Sequence, residues 1–408
     1  MVKRCGGLPL AIVVLGGLLA AKHSLAQWEM VHRYLFQGHL KGFHPHSHQY
    51  GAVNAILALS YNDLPFHLKP CFLYLGHYPE DWEISKKELI RLWIAEGFIW
   101  PSLESREVLM EDVGEQFLEE LMSRSLVQLG RLDHTGTKVK TCRIHDLLRD
   151  LCIEKAREEN FLEIVQPPRS EYVVALAEPM LRRIAIHPSN KFVSLEGEHK
   201  KLRSLLLFQG EISIIFQISK CKNFKFLRVL NLVKKHGDWR VSSEIGNLHH
   251  LRYLKLYGDE IILPRAMERL KSLHTLYIQY LNKLAIPNVV FELERLRHIV
   301  VREQFGVADK PCLLPKIASK NIETLKYVVA DKKLIENDAL LRLINIQSLG
   351  MEFKRTEDVK PVLMSLTGLH RLGSLYVRSL WYSMKASYSD LEPLSQFHRL
   401  SKLCCGVG

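Results

Sequence analysis

Two neighbouring residues near the middle of the chain, His145 and Asp146, have the types and the spacing for chemistry at the start of a helix. An imidazole can donate a hydrogen bond to an anion, and an aspartate is a good N-cap. The pattern predicts a strand that ends at Ile144 and an amphipathic helix whose apolar face begins at Leu147 and Leu148. On local residues alone, the simpler interpretation is favoured: Asp146 caps the helix and His145 is an ordinary turn histidine.

Other groups of reactive side chains are weaker candidates. His44, His46 and His48 lie in one predicted loop, but no carboxylate or thiolate joins them at ligand spacing, so a polar loop is favoured over a zinc site. The sequence has no G-x-x-x-x-G-K-[ST] motif, and no predicted strand ends in the paired acids that hold Mg²⁺. No Ser/His/Asp, Cys/His or paired-carboxylate arrangement has the local structure that an enzyme needs. We therefore expect no catalytic residue and no metal site.

The elements that would position His145 are mostly helices. In the first 75 residues, apolar side chains recur at helical spacing. The helices predicted there cover residues 8–22, 28–36, 53–59 and 68–75.

A second group of elements has sharper local signals. Ser85 and Glu88 form a capping-box pattern, so a helix should begin at Lys86, and Gly97 is well placed to end it. A further helix and a hairpin follow before His145. They are predicted over residues 110–122 for the helix, and 126–129 and 138–144 for the two strands around a turn at 133–136. The order helix, helix, hairpin, helix is typical of a winged helix.

From about residue 200 the chain repeats itself. The motif L-x-x-L-x-L occurs nine times, and its first positions are 22 to 28 residues apart. This period and pattern indicate leucine-rich repeats, in which each repeat supplies a short parallel strand whose inward leucines stack on the next. The first positions are Leu202, Leu227, Leu251, Leu273, Leu296, Ile322, Ile346, Leu372 and Leu400.

The positions between the leucines are predicted to face the concave side of the solenoid. They form a basic and aromatic strip that suits an acidic partner, either within the same chain or outside it. The predicted strip contains Arg203, Ser204, Leu206, Arg228, Val229, Asn231, Arg252, Tyr253, Lys255, His274, Thr275, Tyr277, Arg297 and His298.

Charge is spread unevenly along the chain. Residues 1–180 hold 19 basic and 23 acidic side chains, a net charge of −4, whereas residues 181–408 hold 37 and 21, a net charge of +16. The basic character therefore belongs to the repeat half. It indicates either an acidic partner or simply a solvated charged face.

The N-terminus has the basic and apolar regions of a signal peptide, but its apolar run continues into an ordinary helical pattern. The sequence has no Asn-x-Ser/Thr sequon, and its eight cysteines form no C-x-x-C pair. We therefore favour a reducing compartment over secretion. No stretch is apolar for long enough to predict a membrane span.

Several ordered stretches resemble the plant intracellular immune receptors, in which a nucleotide-binding NB-ARC region precedes leucine-rich repeats. The resemblance covers nearly the whole chain and is closest to receptors with an N-terminal coiled coil. It is carried by Cys5–Ala11, which is similar to the G-L-P-L-A motif, with Trp28 further on; by Leu57–Pro65; by Leu68–Tyr74 with Tyr78–Asp81; by Leu89–Ile99; and by Ile144–Asp146, similar to M-H-D with Ile in place of Met.

This resemblance implies roles for three residues. Pro9 would line the adenine site of ADP or ATP, and His145 would hydrogen-bond the β-phosphate of ADP. Asp146 would cap the following helix and help to hold the winged helix in the ADP-bound, inactive arrangement. In the family, nucleotide exchange is the switch, and the repeats act as restraint and as sensor.

The sequence departs from the family in lacking the glycine-rich loop and its lysine, and only seven residues precede Leu8. We interpret the chain as N-terminally truncated, beginning inside the first helical subdomain, and its end near residue 406 as cutting a repeat before a polar cap. Because that loop supplies most of the phosphate-binding energy, we expect this chain to bind no ADP or ATP by itself.

The predicted fold is multidomain, α plus α/β: a helical-bundle remnant and a winged-helix domain, followed by a leucine-rich-repeat solenoid. The predicted boundaries are 1–75 for the C-terminal part of the NB-ARC helical (ARC1-like) subdomain, 76–165 for the ARC2-like winged helix, 166–198 for a linker and 199–408 for the repeats.

The function predicted from this resemblance is that of a plant disease-resistance protein fragment without enzymatic activity. It would act in the cytoplasm through protein contacts with a pathogen effector, a guarded host protein or its own NB-ARC region. The alternatives are a secreted or scaffold repeat protein, and a winged-helix nucleic-acid binder. The second is disfavoured because the winged-helix half is the acidic one, so no nucleic-acid partner is expected.

Overall fold

The computed structural model of the protein describes residues 5–36, 48–100, 108–133, 136–165, 173–175, 181–187, 192–194, 201–208, 224–233, 238–303, 319–330, 340–353, 355–379 and 388–407. The chain forms two compact units. The first comprises Met1–Ile164 with Arg182–Ala185, and the second comprises Val165–Leu181 with Ile186–Gly408. The predicted loop with His44 and His46 lies outside the described residues.

The first unit begins with four helices, as the sequence predicts. Helix α1 carries a proline at its first position, where the fixed φ angle suits a helix start and no N–H is needed. It packs against α3. The four helices are α1 Pro9–Ala20, α2 Leu25–Phe36, α3 His48–Asn62 and α4 Lys69–Tyr74.

The elements that follow confirm the predicted order of two helices, a hairpin and a third helix. The hairpin strands β2 and β3 are antiparallel, with Leu129 opposite Cys142, and a short strand β1, which the sequence analysis missed, pairs with the other side of β3. The bounds are β1 Ile84–Ser85, α5 Lys86–Glu96, α6 Met110–Ser123, β2 Gln128–Leu129, β3 Thr141–Arg143 and α7 Asp146–Glu158.

Helix α5 starts and ends where the sequence predicts, but not with the predicted capping box. Ser85 occupies the N-cap position, and its side chain makes no capping hydrogen bond. Because Ser85 belongs to β1, the N–H of Lys86 donates instead to the carbonyl of Lys140, at 3.1 Å. Gly97 ends the helix in the left-handed conformation, with φ 84°, and its N–H donates to the Trp93 carbonyl.

A charged network joins α1, α3 and α6 inside the first unit. Asp63, just after α3, pairs with Lys22, and its other oxygen lies 3.1 Å from Arg124. Arg124 also pairs with Glu120 on α6. A methyl group at Gly17 of α1 would lie 2.6 Å from the Arg124 backbone, so only glycine allows this close approach.

The second unit is built on nine parallel strands, one for each predicted repeat. Each strand pairs with the equivalent residues of the next repeat, and the register shifts between Gly258 and Glu260 on β11 and between Leu325 and Val328 on β14. The strands are β8 Ser204–Leu207, β9 Val229–Val233, β11 Tyr253–Ile262, β12 Thr275–Ala285, β13 His298–Glu303, β14 Thr324–Ala330, β15 Ser348–Phe353, β16 Ser374–Ser379 and β17 Lys402–Val407. The predicted solenoid is confirmed.

Between these strands the described residues form several short 3-10 helices, at Ser243–Asn247, Arg265–Arg269, Asn288–Val290, Thr356–Asp358 and Glu392–Gln396. The short strand β10 Trp239–Arg240 pairs with the end of β11, and two helices lie in the last repeats. The helices are α8 Val359–Leu366 and α9 Tyr388–Leu391.

The fourth position of each motif forms the central ladder of the repeat core. Eight of its nine members have at most 1% of their surface exposed, whereas Leu403 on the last strand is 39% exposed. Because adjacent strands are about 4.8 Å apart, each side chain packs directly on the equivalent side chain of the next repeat and shields it from water. The nine members are Leu205, Leu230, Leu254, Leu276, Ile299, Leu325, Leu349, Leu375 and Leu403.

The interval predicted as a linker, 166–198, contains strands. In the second unit, His187 N–H donates to the Val165 carbonyl at 3.2 Å, and Phe208 N–H donates to the Ile186 carbonyl at 3.0 Å. These backbone bonds are the same kind as those that join the repeats. The short strands near this interval are β4 Glu163–Val165, β5 Val173–Ala175, β6 Arg183–Ile186 and β7 Phe192–Ser194.

Candidate functional site

His145 is the N-cap of α7. Its backbone is extended, with φ −72° and ψ 144°, and its Nδ1 accepts a hydrogen bond from the Leu147 N–H at 3.3 Å. A nitrogen that accepts carries no proton, so the proton of the neutral ring is on Nε2. The side chain is half-buried. His145 is therefore held at the strand end with Nε2 as a hydrogen-bond donor, which suits an anion such as a phosphate.

The prediction that Asp146 caps α7 is wrong by one residue. Asp146 is the first residue of the helix, and its side chain is exposed. The imidazole takes over the capping role because its Nδ1 reaches the orphan N–H two residues on. Asp146 still places a negative charge in the first turn, where it interacts favourably with the helix dipole.

Arg149 holds the start of α7 in place through buried contacts, and the sequence analysis did not identify it. Its side chain is 3% exposed, and its Nε donates to the Tyr78 carbonyl at 2.7 Å. Its Nη1 also lies 3.5 Å from a Glu80 carboxylate oxygen. The only sequence signal was a charged residue between Leu148 and Leu151 on the predicted apolar face. Arg149 thereby connects the His145 helix to the Tyr78–Asp81 stretch.

Two further contacts fasten the rest of α7. The Cys152 thiol donates to the Phe72 carbonyl at 3.3 Å, and the Tyr61 hydroxyl donates to Glu159 at 2.6 Å. Burial, followed by the Glu159 contact, raises the pKa of Tyr61, so its hydroxyl stays protonated as the donor. Three of the stretches that carry the family resemblance are thus gathered around the helix that begins at His145.

Pro9 lies apart from these contacts, as the first residue of α1, and is exposed. Helix α3 packs with both α1 and α7, so it lies between the elements that carry Pro9 and His145. No hydrogen bond joins Pro9 to His145 among the described residues. The structure places each residue at a helix start.

The buried cysteines of the first unit are structural rather than reactive. Burial raises the pKa of the Cys142 thiol to about 12 and raises the pKa values of Cys71 and Cys152 well above their usual range. Thiols with raised pKa values carry little thiolate at neutral pH and are poor nucleophiles. These buried thiols therefore act as small hydrophobic side chains.

The second candidate site is the outward face of the repeat strands, opposite the leucine core. Part of the predicted strip is buried: Ser204, Val229, Tyr253, Thr275 and His298 are at most 4% exposed. His298 Nδ1 lies 3.1 Å from the Thr324 hydroxyl of the next strand. This row is thus less available to a partner than the sequence alone predicts, because equivalent residues on adjacent strands contact each other.

Arg297 is tied down within the repeats. Its guanidinium makes two hydrogen bonds to Glu323 of the next repeat, at 2.7 and 2.9 Å. Such a two-point contact is the strongest geometry for an arginine and a carboxylate. Arg297 is therefore a structural residue of the strip and stabilises the stacking of two repeats.

Two parts of the chain match known family models, and the chain as a whole is similar to curated proteins. Residues 201–407 match the leucine-rich repeat region model, and residues 78–152 match the disease resistance protein winged helix domain model. Disease resistance protein RPP8 of Arabidopsis thaliana is 40% identical over 416 residues, which cover 100% of this chain and 44% of that protein. The chain belongs to the plant disease resistance proteins.

Other members of this family align in the same way. Probable disease resistance RPP8-like protein 4 of Arabidopsis thaliana is 36% identical over 92% of this chain and 41% of its own length. ToMV resistant protein Tm-2 netted virescent of Solanum lycopersicum is 36% identical over 100% of this chain and 46% of its own length. The chain thus spans less than half the length of these curated relatives.

Among solved structures, an internalin from Listeria monocytogenes matches with a TM-score of 0.39 and 15% identity, over 55% of this chain and 61% of that one. Within the described part of the chain, no helix has the length and apolar character needed to cross a bilayer.

Proposed function

We propose that this disease resistance chain provides the regulatory winged helix and the recognition repeats of a plant defence receptor. The observation that carries the proposal is the ladder of nine parallel strands that follows a winged helix in the chain, because a ladder of this length presents one extended face for protein contacts. The protein would act in the cytoplasm as a receptor rather than as an enzyme. Its partner would be a pathogen effector, a guarded host protein or another part of the receptor.

A gene-replacement experiment tests this function. In the plant that encodes the chain, deleting its coding region should remove resistance to at least one isolate in a pathogen panel. The wild-type sequence should restore resistance, and Leu254→Asp, which breaks the buried ladder, should not. Lys271→Gln, at an exposed position before β12, is the matched control and should restore it fully. Unchanged resistance to every isolate after deletion would contradict the proposal.

We further propose that His145 and Pro9 contribute to an ADP site that needs residues beyond those in this chain. His145 fits a phosphate-donor role, because its Nδ1 accepts from Leu147 and leaves the proton on Nε2. Pro9 is exposed and can face a base. One imidazole supplies only part of the contacts that a diphosphate requires, and the sequence has no glycine-rich phosphate loop.

The expected result is that the purified chain binds ADP too weakly for calorimetry, with a Kd above about 1 mM, equivalent to less than about 4 kcal/mol. His145→Ala should then leave the titration unchanged. Its effect on α7 is the loss of one capping bond, which lowers helix stability by about 1 kcal/mol. Micromolar ADP binding that His145→Ala abolishes would show instead that the partial site is sufficient.

A further inference from the structure

Tyr277 on β12 lies between two cations on the outward face of the repeats. The Nζ of Lys255, its direct neighbour on β11, is 4.8 Å from the centre of its ring, and the guanidinium carbon of Arg302 on β13 is 5.5 Å away. Both distances lie within the range of about 6 Å in which a cation is attracted to an aromatic face. Arg302 is exposed, so this cluster offers positive charge to solvent.

Tyr376 on β16 has the same arrangement four strands further along. Its ring centre is 4.2 Å from the Nζ of Lys326 on β14 and 5.7 Å from the Nζ of Lys402 on β17. Lys326 and Tyr376 each follow a buried leucine, and Lys402 lies opposite Ser374, two residues before Tyr376, so all three share the outward face. Arg378, two residues along β16, is half-buried on the same face.

A glycine explains how the second cluster spans four strands. Gly350 on β15 lies directly opposite Tyr376 in the register, between the strands of Tyr376 and Lys326. It has no side chain to block the ring, and it is buried nevertheless, as expected when a neighbouring aromatic ring lies across a strand glycine. The cluster is therefore built into the sheet, because the ring holds the two ammonium groups in place.

We propose that these two tyrosine–cation clusters bind an acidic, extended segment of a partner protein. Their two tyrosine rings are four strands apart, on β12 and β16, which at about 4.8 Å per strand places the rings about 19 Å apart. An extended chain advances about 3.3 Å per residue, so acidic side chains about six residues apart reach both clusters. An even separation also keeps both on one side of the extended segment. This inference rests on the proposed role of the repeats as a protein-binding surface.

The face between the two tyrosine rings favours a protein over a nucleic acid. Val300 on β13, Val329 on β14 and Glu352 on β15 lie there, and each is 3% exposed. Each strand of a duplex carries a phosphate about every 3.4 Å along the axis and would set several charges against this apolar and acidic stretch. A peptide can place apolar side chains there and acidic ones only at the two clusters.

The test uses the full chain and synthetic peptides. In each peptide two Glu-Glu pairs are embedded in a Ser/Val background, with the pairs about three, six or ten residues apart. A single-stranded oligonucleotide of equal charge is the other probe. Fluorescence anisotropy at about 0.15 M salt should give at least about tenfold tighter binding for the six-residue spacing than for the others, because only that spacing engages both clusters.

Variants separate the clusters from general positive charge. Arg302→Gln and Lys402→Gln should each weaken binding of the peptide with the six-residue spacing by about three- to tenfold, so that it binds no more tightly than the peptides with other spacings. Tyr376→Leu should weaken binding, whereas Tyr376→Phe, which keeps the ring, should not. Lys271→Gln, which removes an exposed cation outside the clusters, is the matched control and should have no effect.

Three results would overturn the inference. They are equal binding of all three spacings, an equal loss with Lys271→Gln, and tighter binding of the oligonucleotide with the same sensitivity to Arg302→Gln. None of these results bears on the gene-replacement experiment. If deletion removes resistance but the peptides show no preferred spacing, the two clusters are not the binding site, and the proposed function still holds.

Discussion

Replacing Arg183 with methionine should lower the free energy of unfolding of the first unit by about 3–5 kcal/mol, because it removes the arginine that is paired with the buried Glu96 carboxylate. The Arg183 side chain is 6% exposed and that of Glu96 is 0% exposed, and the guanidinium lies 3.0 Å from the carboxylate. Arg183 also donates to the Phe161 carbonyl at 3.3 Å. Its guanidinium carbon is 4.1 Å from the centre of the Phe161 ring and 5.0 Å from that of Phe98.

Hydrogen exchange of peptides from α5 measures this effect within the first unit, which avoids treating a two-unit chain as one unfolding step. Protection of α5 should fall by about a hundredfold or more, since about 1.4 kcal/mol corresponds to a factor of ten. The double variant Glu96→Leu/Arg183→Met should be more stable than Arg183→Met alone, because it removes the buried carboxylate together with the arginine that was paired with it. A fall of less than about tenfold would mean that the pair is not needed for stability.

The Arg183–Glu96 pair shows what sequence reasoning could not reach. Its members are 87 residues apart, and neither lies in a local pattern that identifies a partner. The same applies to Lys326 and Tyr376, which meet because Gly350 leaves room between their strands. Such contacts depend on which distant parts of the chain lie side by side in the fold. A single sequence reveals this only where the sequence is periodic.

The repeats were predictable because their signal is periodic. Each motif predicts one strand and the side chains that face the core. Because each repeat contacts only the repeats before and after it, the order of the motifs in the sequence also predicts the order of the strands in the sheet. The winged helix was also predictable in order, from helix starts and a turn. The predicted cap of α7 was wrong by one residue, and this changes which side chain has the capping role. His145, not Asp146, caps the helix. A sequence pattern places a helix start only to within a residue or two.

Replacing Leu254 with aspartate should destabilise the repeat unit by at least about 4–5 kcal/mol, because it buries a carboxylate without a partner and leaves a cavity. Leu254 is 0% exposed and pairs with Leu230 on one side and Leu276 on the other. In a solenoid each repeat is stabilised mainly by its neighbours. Hydrogen exchange should therefore increase most in β9, β11 and β12, and less in β16.

The last member of the same ladder provides the matched control. Leu403 on β17 is 39% exposed, so an aspartate there stays in contact with water and should cost at most about 1 kcal/mol. The two variants make the same chemical change at equivalent positions of the motif, and they differ only in burial. A similar increase in exchange for both would show that the ladder is not stabilised by its buried interior, whereas a large difference would show that burial of the ladder stabilises the central repeats.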